Sequence, residues 1–149
     1  MITTSSVVAI KRPSREVFAF VCDPARAPQW HTGVTHFRAT NGLPAGSEGE
    51  LTMVIMGRQL HSTFVILEND GTETTKSRSV QGPIRYETTQ RVESVSSSSC
   101  RVSIHTRIDA GTVFMLAEPA LESIARYYAD MDLQTLKTIL EASLRLPNL

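Results

Sequence analysis

Glu118 to Leu144, EPALESIARYYADMDLQTLKTILEASL, is the stretch on which the fold turns. Pro119 stands where a first helical turn tolerates it, and no Gly or Pro follows until Pro147. Leu121, Ile124, Ala125, Tyr128, Met131, Thr135, Leu136 and Ile139 recur at helical spacing on one side. Arg126, Asp130, Gln134, Lys137 and Glu141 fall on the other. A continuous helix here would be roughly 40 Å long, more than one packing partner requires in a small domain. Val34 to Asp109, upstream, reads as strands and turns. A long apolar-faced helix after such a run predicts a sheet wrapped around a helix, an arrangement that tends to enclose a cavity.

Working back from the helix, Thr3 to Ile10 is rich in Val, Ile and Thr and reads as a first strand. Pro13 and Ser14 open a short helix carrying Val17, Phe18, Phe20 and Val21. Asp23-Pro24 restarts the chain as a cap followed by proline, and Pro28 limits this second helix to about two turns, ending at Trp30. A meander follows: Val34 to Ala39, Gly49 to Met56, Gln59 to Glu68, Thr72 to Val80, Ile84 to Glu93 and Cys100 to Ile108. Asn69-Asp70-Gly71 is the strongest hairpin signal between them. The four serines from Ser96 to Ser99 read as a turn. No repeat and no domain boundary interrupts residues 1–149, so one domain is expected.

Bulk properties narrow the function. The chain carries 15 basic and 15 acidic side chains, which gives no electrostatic reason to expect nucleic acid as a partner. No window approaches the ~18 uninterrupted apolar residues of a membrane span. The first residues place their charges after the apolar run, the reverse of a secretory signal, so a cytoplasmic location is expected. Cys22 and Cys100 are far apart without a CxxC and read as buried free thiols.

Two strands alternate cleanly. Ile84, Tyr86, Thr88, Gln90 and Val92 share one face of the first, and Cys100, Val102, Ile104, Thr106 and Ile108 one face of the second. Thr88 and Gln90 are out of character on a core face, where polar groups are costly unless bonded. Either they line a partly wet cavity or they sit near a sheet edge. Parity is ambiguous for the strands carrying Met53 and Phe64, because TFVIL is apolar on both faces.

The stretch from Pro13 to Pro24, PSREVFAFVCDP, followed by Pro28-Gln29-Trp30, resembles the N-terminal pattern of the START/polyketide-cyclase (SRPBCC) superfamily. Asp132 to Glu141, DLQTLKTILE, looks like the family's final helix turns. The resemblance implies an α+β helix-grip fold, birch-pollen-allergen-like: a curved antiparallel sheet of about seven strands around a long C-terminal helix, with two short helices after the first strand. It implies a hydrophobic cavity for a lipid, steroid, polyketide or hormone, no shared catalytic motif, and Trp30 closing one end of the cavity.

Candidate residues follow. Trp30, Phe37, Met53, Ile55, Phe64, Phe114, Met115, Ala125 and Tyr128 are candidate apolar walls, with Tyr86, Thr88 and Gln90 able to orient a ligand carbonyl or hydroxyl. Counted at about 100° per residue from Leu121, Asp132 lands near the middle of the apolar stripe. It is either an acid or base in the cavity or a structural carboxylate bonded to local backbone or an arginine. His31, Asp132 and Tyr86 are the groups available for acid–base work. The four histidines, His31, His36, His61 and His105, show no metal-ligand spacing, so neither metal nor cofactor is expected. No GxGxxG, P-loop or GxSxG pattern is present.

Three functions remain open at this point. The first is a monomeric or homodimeric binding protein for a small hydrophobic molecule. The second is a polyketide or aromatic cyclase/dehydratase using polar groups of the cavity. The third is a protein-interaction module.

Overall fold

The computed structural model describes residues 1–111, 113–114 and 116–142. Strands β1 (Ile2–Ile10), β2 (Val34–Ala39), β3 (Glu48–Ile55), β4 (Arg58–Asn69), β5 (Thr74–Gln81), β6 (Arg85–Ser96) and β7 (Ser99–Asp109) form one antiparallel sheet. Its order is β1-β7-β6-β5-β4-β3-β2, so β2 to β7 are successive hairpins and β1 returns to the far side of β7. Helix α1 (Ser14–Val21), a 3₁₀ turn (Pro24–Arg26) and α2 (Ala27–Trp30) join β1 to β2, and α3 (Glu118–Ala142) follows β7. This is the α+β helix-grip fold the sequence predicts. Breaks in register within β2, β4 and β6 let the sheet curl toward the helix.

The second short helix is less regular than expected. The Asp23 carboxylate accepts the Ala25 N–H at 3.0 Å, and Pro24 opens a single 3₁₀ turn before four α-helical residues. β5 begins at Thr74, two residues later than the sequence indicates. The reason is Asp70, whose Oδ1 accepts the N–H groups of Thr72, Glu73 and Thr74 at 2.8–3.0 Å and holds them in a turn. Those bonds, the one from Glu73 foremost, lower the Asp70 carboxyl from the ordinary 3.8 to about 2. A lowered folded-state value means the turn's stabilisation is complete above pH ~4 and fades as pH falls toward about 2. NMR titration of the Asp70 carboxyl is expected to give a midpoint near 2, and Asp70→Ala to remove that titration while loosening the amides of residues 72–74.

On α3, Leu121, Leu133, Leu136 and Leu140 are buried. Met131, placed on the inner face by the sequence reading, is 39% exposed. At 100° per residue from Leu121 the buried Leu136, Leu140 and Leu133 fall at about +60°, +100° and +120°, whereas Met131 falls at about −80°, on the other side of Leu121 and away from the stripe's centre. Ser143 and Leu144 lie outside the described residues.

The helix meets the rest of the protein in two separate apolar clusters. Near its C-terminal end, Leu133, Leu136 and Leu140 join Ile10, Val17, Phe18, Trp30, Phe64, Val92 and Val102 in the main core. At its N-terminal end, Leu121 packs with Ile2 and Ala110, flanked by Ile84, Ile108 and Phe114. Each fully buried leucine contributes roughly 1.5–3 kcal/mol. Polar ties fix the same helix along β1: Ser6 Oγ donates to Asp130 at 2.5 Å, and Lys137 Nζ donates to the Ala9 carbonyl at 2.7 Å and pairs with Glu141. Between the two clusters, over about 18 Å of helix axis, α3 follows β1 at one edge of the sheet and leaves a gap over the other strands.

Cys22 and Cys100 are both buried free thiols. Burial pushes the Cys22 thiol up to about 11 and Cys100 in the same direction, so neither is a ready nucleophile.

Candidate functional site

The gap under the middle of α3 is a cavity of about 290 Å³. Its roof is the inner face of α3: Leu121, Ile124, Ala125, Tyr128, Ala129 and Asp132. The small side chains at 125 and 129 leave room beneath the helix. The floor is the concave face of the sheet, set by strand alternation. On β3 the inward residues are Leu51, Met53 and Ile55, and on β4 Leu60, Ser62, Phe64 and Ile66. The ambiguous parity therefore resolves with both Met53 and Phe64 inward. Gly49 pairs with Phe64 across β3–β4, and a Cβ there would run into the Phe64 ring. Glycine lets that ring lie down against Phe37, with centroids 5.3 Å apart.

β6 settles the question of its polar residues. It lies between β5 and β7, not at an edge, and Tyr86, Thr88 and Gln90 all face the cavity. Thr88 Oγ1 is 3.3 Å from Thr106 Oγ1 on β7, and Thr75 Oγ1 on β5 donates to Gln90 Oε1 at 3.5 Å. Desolvation pushes the Tyr86 phenol up to about 12, with a hydrogen bond to Ser62 offsetting part of the effect. Tyr86 thus stays a neutral hydrogen-bonding group and not a base.

One end of the cavity is closed by Val21, Asp23, Pro24, Ala27 and His31 from the α1–α2 region. Here Asp132 reaches down from α3. Its Oδ1 accepts the Thr32 N–H at 2.6 Å, and its Oδ2 lies 3.3 Å from His31 Nδ1. The carboxylate in the apolar stripe is therefore bonded to backbone, but to a distant segment and not to its own helix. The tautomer that fits an ionised Asp132 carries its proton on Nδ1 and leaves Nε2 as an acceptor. The opposite end is bounded by Met56, Pro83, Ile84 and Phe114, where Arg58 donates to the Val113 carbonyl across the opening.

Of the residues singled out from sequence, Phe37, Met53, Ile55, Phe64, Tyr86, Thr88, Gln90, Phe114, Ala125, Tyr128, His31 and Asp132 are on the cavity wall. Trp30 is not. It is 2% exposed, belongs to the main core, and stacks on His31 with ring centroids 3.7 Å apart. Met115 lies outside the described residues. Sequence reasoning passed over Thr4, Ser62, Thr75, Ser77 and Thr106. Thr106 was legible, since it shares the inward face of its strand with Ile104; the others needed the register.

A family model described as polyketide cyclase / dehydrase and lipid transport matches residues 1–141. The chain belongs to that family. Among solved structures, a protein from Thermus thermophilus is similar with a TM-score of 0.82 at 15% identity, over 95% of this chain and 98% of that one. A START superfamily protein from Mycobacterium smegmatis gives 0.79 at 14%, over 95% and 98%. The Zhui aromatase/cyclase from a Streptomyces species gives 0.79 at 12%, over 96% and 95%. At these identities the likeness is one of fold. No curated protein matches the chain. Membership of the polyketide cyclase / dehydrase and lipid transport family points to a ligand-binding or cyclase role. Among the described residues no helix is long and apolar enough to cross a membrane.

Proposed function

We propose that this protein binds a small, mostly apolar molecule in the cavity beneath α3. The observation that carries the reading is the two-point anchoring of the helix. A void this large inside a core costs several kcal/mol of packing, yet the helix is bound at both ends and carries the small Ala125 and Ala129 on the roof between, so the space is built into the fold. The residues that touch the ligand are those of the wall, with Tyr86, Thr88 and Gln90 fixing its polar groups. Native mass spectrometry of gently purified protein is expected to show a bound small molecule. A homogeneous apo protein that also ignores steroids, fatty acids and flavonoids would sink the reading. Tyr86→Phe is expected to weaken an oxygenated ligand by about 1 kcal/mol, roughly fivefold, with folding unchanged. Calorimetry showing equal affinity would remove Tyr86 from the site.

The His31–Asp132 pair favours a second reading, a cyclase/dehydratase. With Nδ1–H directed at Asp132, Nε2 of His31 takes a proton from the carbon beside a ketone. The enolate adds to a second carbonyl of the same chain, His31 returns the proton to the new alkoxide, and water is lost. The probe is 2,6-heptanedione, which condenses to 3-methylcyclohex-2-enone and water with an ultraviolet signal. Turnover above background that vanishes in His31→Ala supports this reading, and a wild-type rate equal to background removes it.

A further inference from the structure

The polar groups on the cavity floor are not scattered. Strand register places Thr4 opposite Thr106, Thr106 opposite Thr88, and Thr88 opposite Ser77. Four neighbouring strands, β1, β7, β6 and β5, thus carry a hydroxyl side chain on one transverse row, all four on the cavity wall. At about 4.8 Å per strand the row is roughly 14 Å long. Thr88 and Thr106 bond one another, but the hydroxyls of Thr4 and Ser77 make no side-chain hydrogen bond to any other described residue, although Thr4 is only 3% exposed. Gln90, one step along β6, accepts from Thr75 and keeps its amide nitrogen free of partners among the described residues. Thr4 is buried and Ser77 and Gln90 are half-buried, so these groups on the cavity wall are free to bond a ligand.

The charge of the wall is equally one-sided. Among the described residues no lysine or arginine lines the cavity, and its carboxylates are Asp23 and Asp132, both at the α1–α2 end. Each is already committed, Asp23 to the Ala25 N–H and Arg26, Asp132 to the Thr32 N–H and His31. A ligand carboxylate held against the wall would be desolvated with no lysine or arginine beside it, Arg58 lying beyond the wall and bonded to the Val113 carbonyl, and a ligand ammonium would have to compete for carboxylates already bonded.

The geometry points to an uncharged ligand, apolar toward α3 and carrying two or more hydroxyl or carbonyl oxygens on the edge that faces the Thr4–Thr106–Thr88–Ser77 row. This inference rests on the ligand-binding reading and narrows it to neutral oxygenated compounds, with free fatty acids excluded.

Five probes test it by titration calorimetry at pH 8: decanoate, 1-decanol, decylammonium, flavone and 5,7-dihydroxyflavone. Decanol should bind at least tenfold tighter than either ion. The dihydroxyflavone should exceed flavone by about thirtyfold, the yield of two hydrogen bonds of about 1 kcal/mol each. The double variant Thr88→Val, Thr106→Val keeps the shape of both side chains and should abolish the dihydroxyflavone preference, read as the ratio of the two affinities within each protein, with the thermal melt unchanged. Decanoate or decylammonium binding as tightly as decanol overturns the inference, as does equal binding of the two flavones or a preference that survives in the double variant; in those cases the cavity still binds and the broader reading stands. Failure of all five probes to bind overturns both.

Discussion

Trp30→Ala should unfold the protein about 3–5 kcal/mol more easily than wild type, the range for removing a large aromatic from a close-packed core. Trp30 is among the largest fully buried side chains and packs with α1, β4, β7 and the C-terminal half of α3. Its loss leaves a hole in the main core. The indole Nε1 has no partner among the described residues, so the loss is one of packing and not of a hydrogen bond. Trp30→Phe, which fills most of the volume and deletes the orphaned N–H, should cost markedly less than the alanine change. Urea denaturation of the two variants checks this. Equal midpoints for Trp30→Ala and wild type would place the side chain outside the core. The effect on binding should be indirect, through the His31 ring stacked on it.

Ala125→Phe should do the reverse: eliminate binding and leave the fold intact. Ala125 is on the roof, on the part of α3 between its two apolar seats. A phenyl ring there enters empty space and displaces no neighbour, so the usual 1–3 kcal/mol of overpacking does not arise. The helix loses only a few tenths of a kcal/mol of propensity. A ligand, however, would compete with the ring for the same space, and a weakening of at least about 100-fold, roughly 2.8 kcal/mol, is expected. Calorimetric titration beside a thermal melt separates the outcomes. A folded variant that binds as wild type would move the site away from α3, and a variant that melts far below wild type would mean the roof is packed.

The outline of the fold was legible because its signals are local. Helical spacing marks α3, Asp23-Pro24 marks the bend, and alternation marks β6 and β7. The errors came where a local signal competes with something else. Asp70 drew three amides into its turn and delayed β5, and Met131 sat on the rim of a stripe whose true centre is set by Leu133 and Leu136. The site was legible in part. Thr88 and Gln90 stood out as polar residues on an apolar face, and Asp132 as a carboxylate in an apolar stripe. What sequence could not supply was register. The hydroxyls of Thr4 and Thr106 meet only across a pairing of β1 with β7, whose strands stand at opposite ends of the sheet-forming sequence. The partner of Asp132, the Thr32 amide, lies 100 residues away and could not be foreseen from the helix alone.

The two-point seating of α3 divides labour between residues. Those that hold the helix, Leu121 at one end and Leu133, Leu136 and Leu140 at the other, are largely distinct from those that roof the space between. Roof residues between the seats, such as Ile124, Ala125 and Ala129, can therefore drift in size and polarity with little penalty in stability, while the seats must stay apolar and close-packed. Selection for a new ligand and selection for a folded chain act on different positions. Such a scaffold can change its cargo without first being rescued from unfolding, and solved structures with the same architecture at 10–16% identity are what that freedom would leave behind.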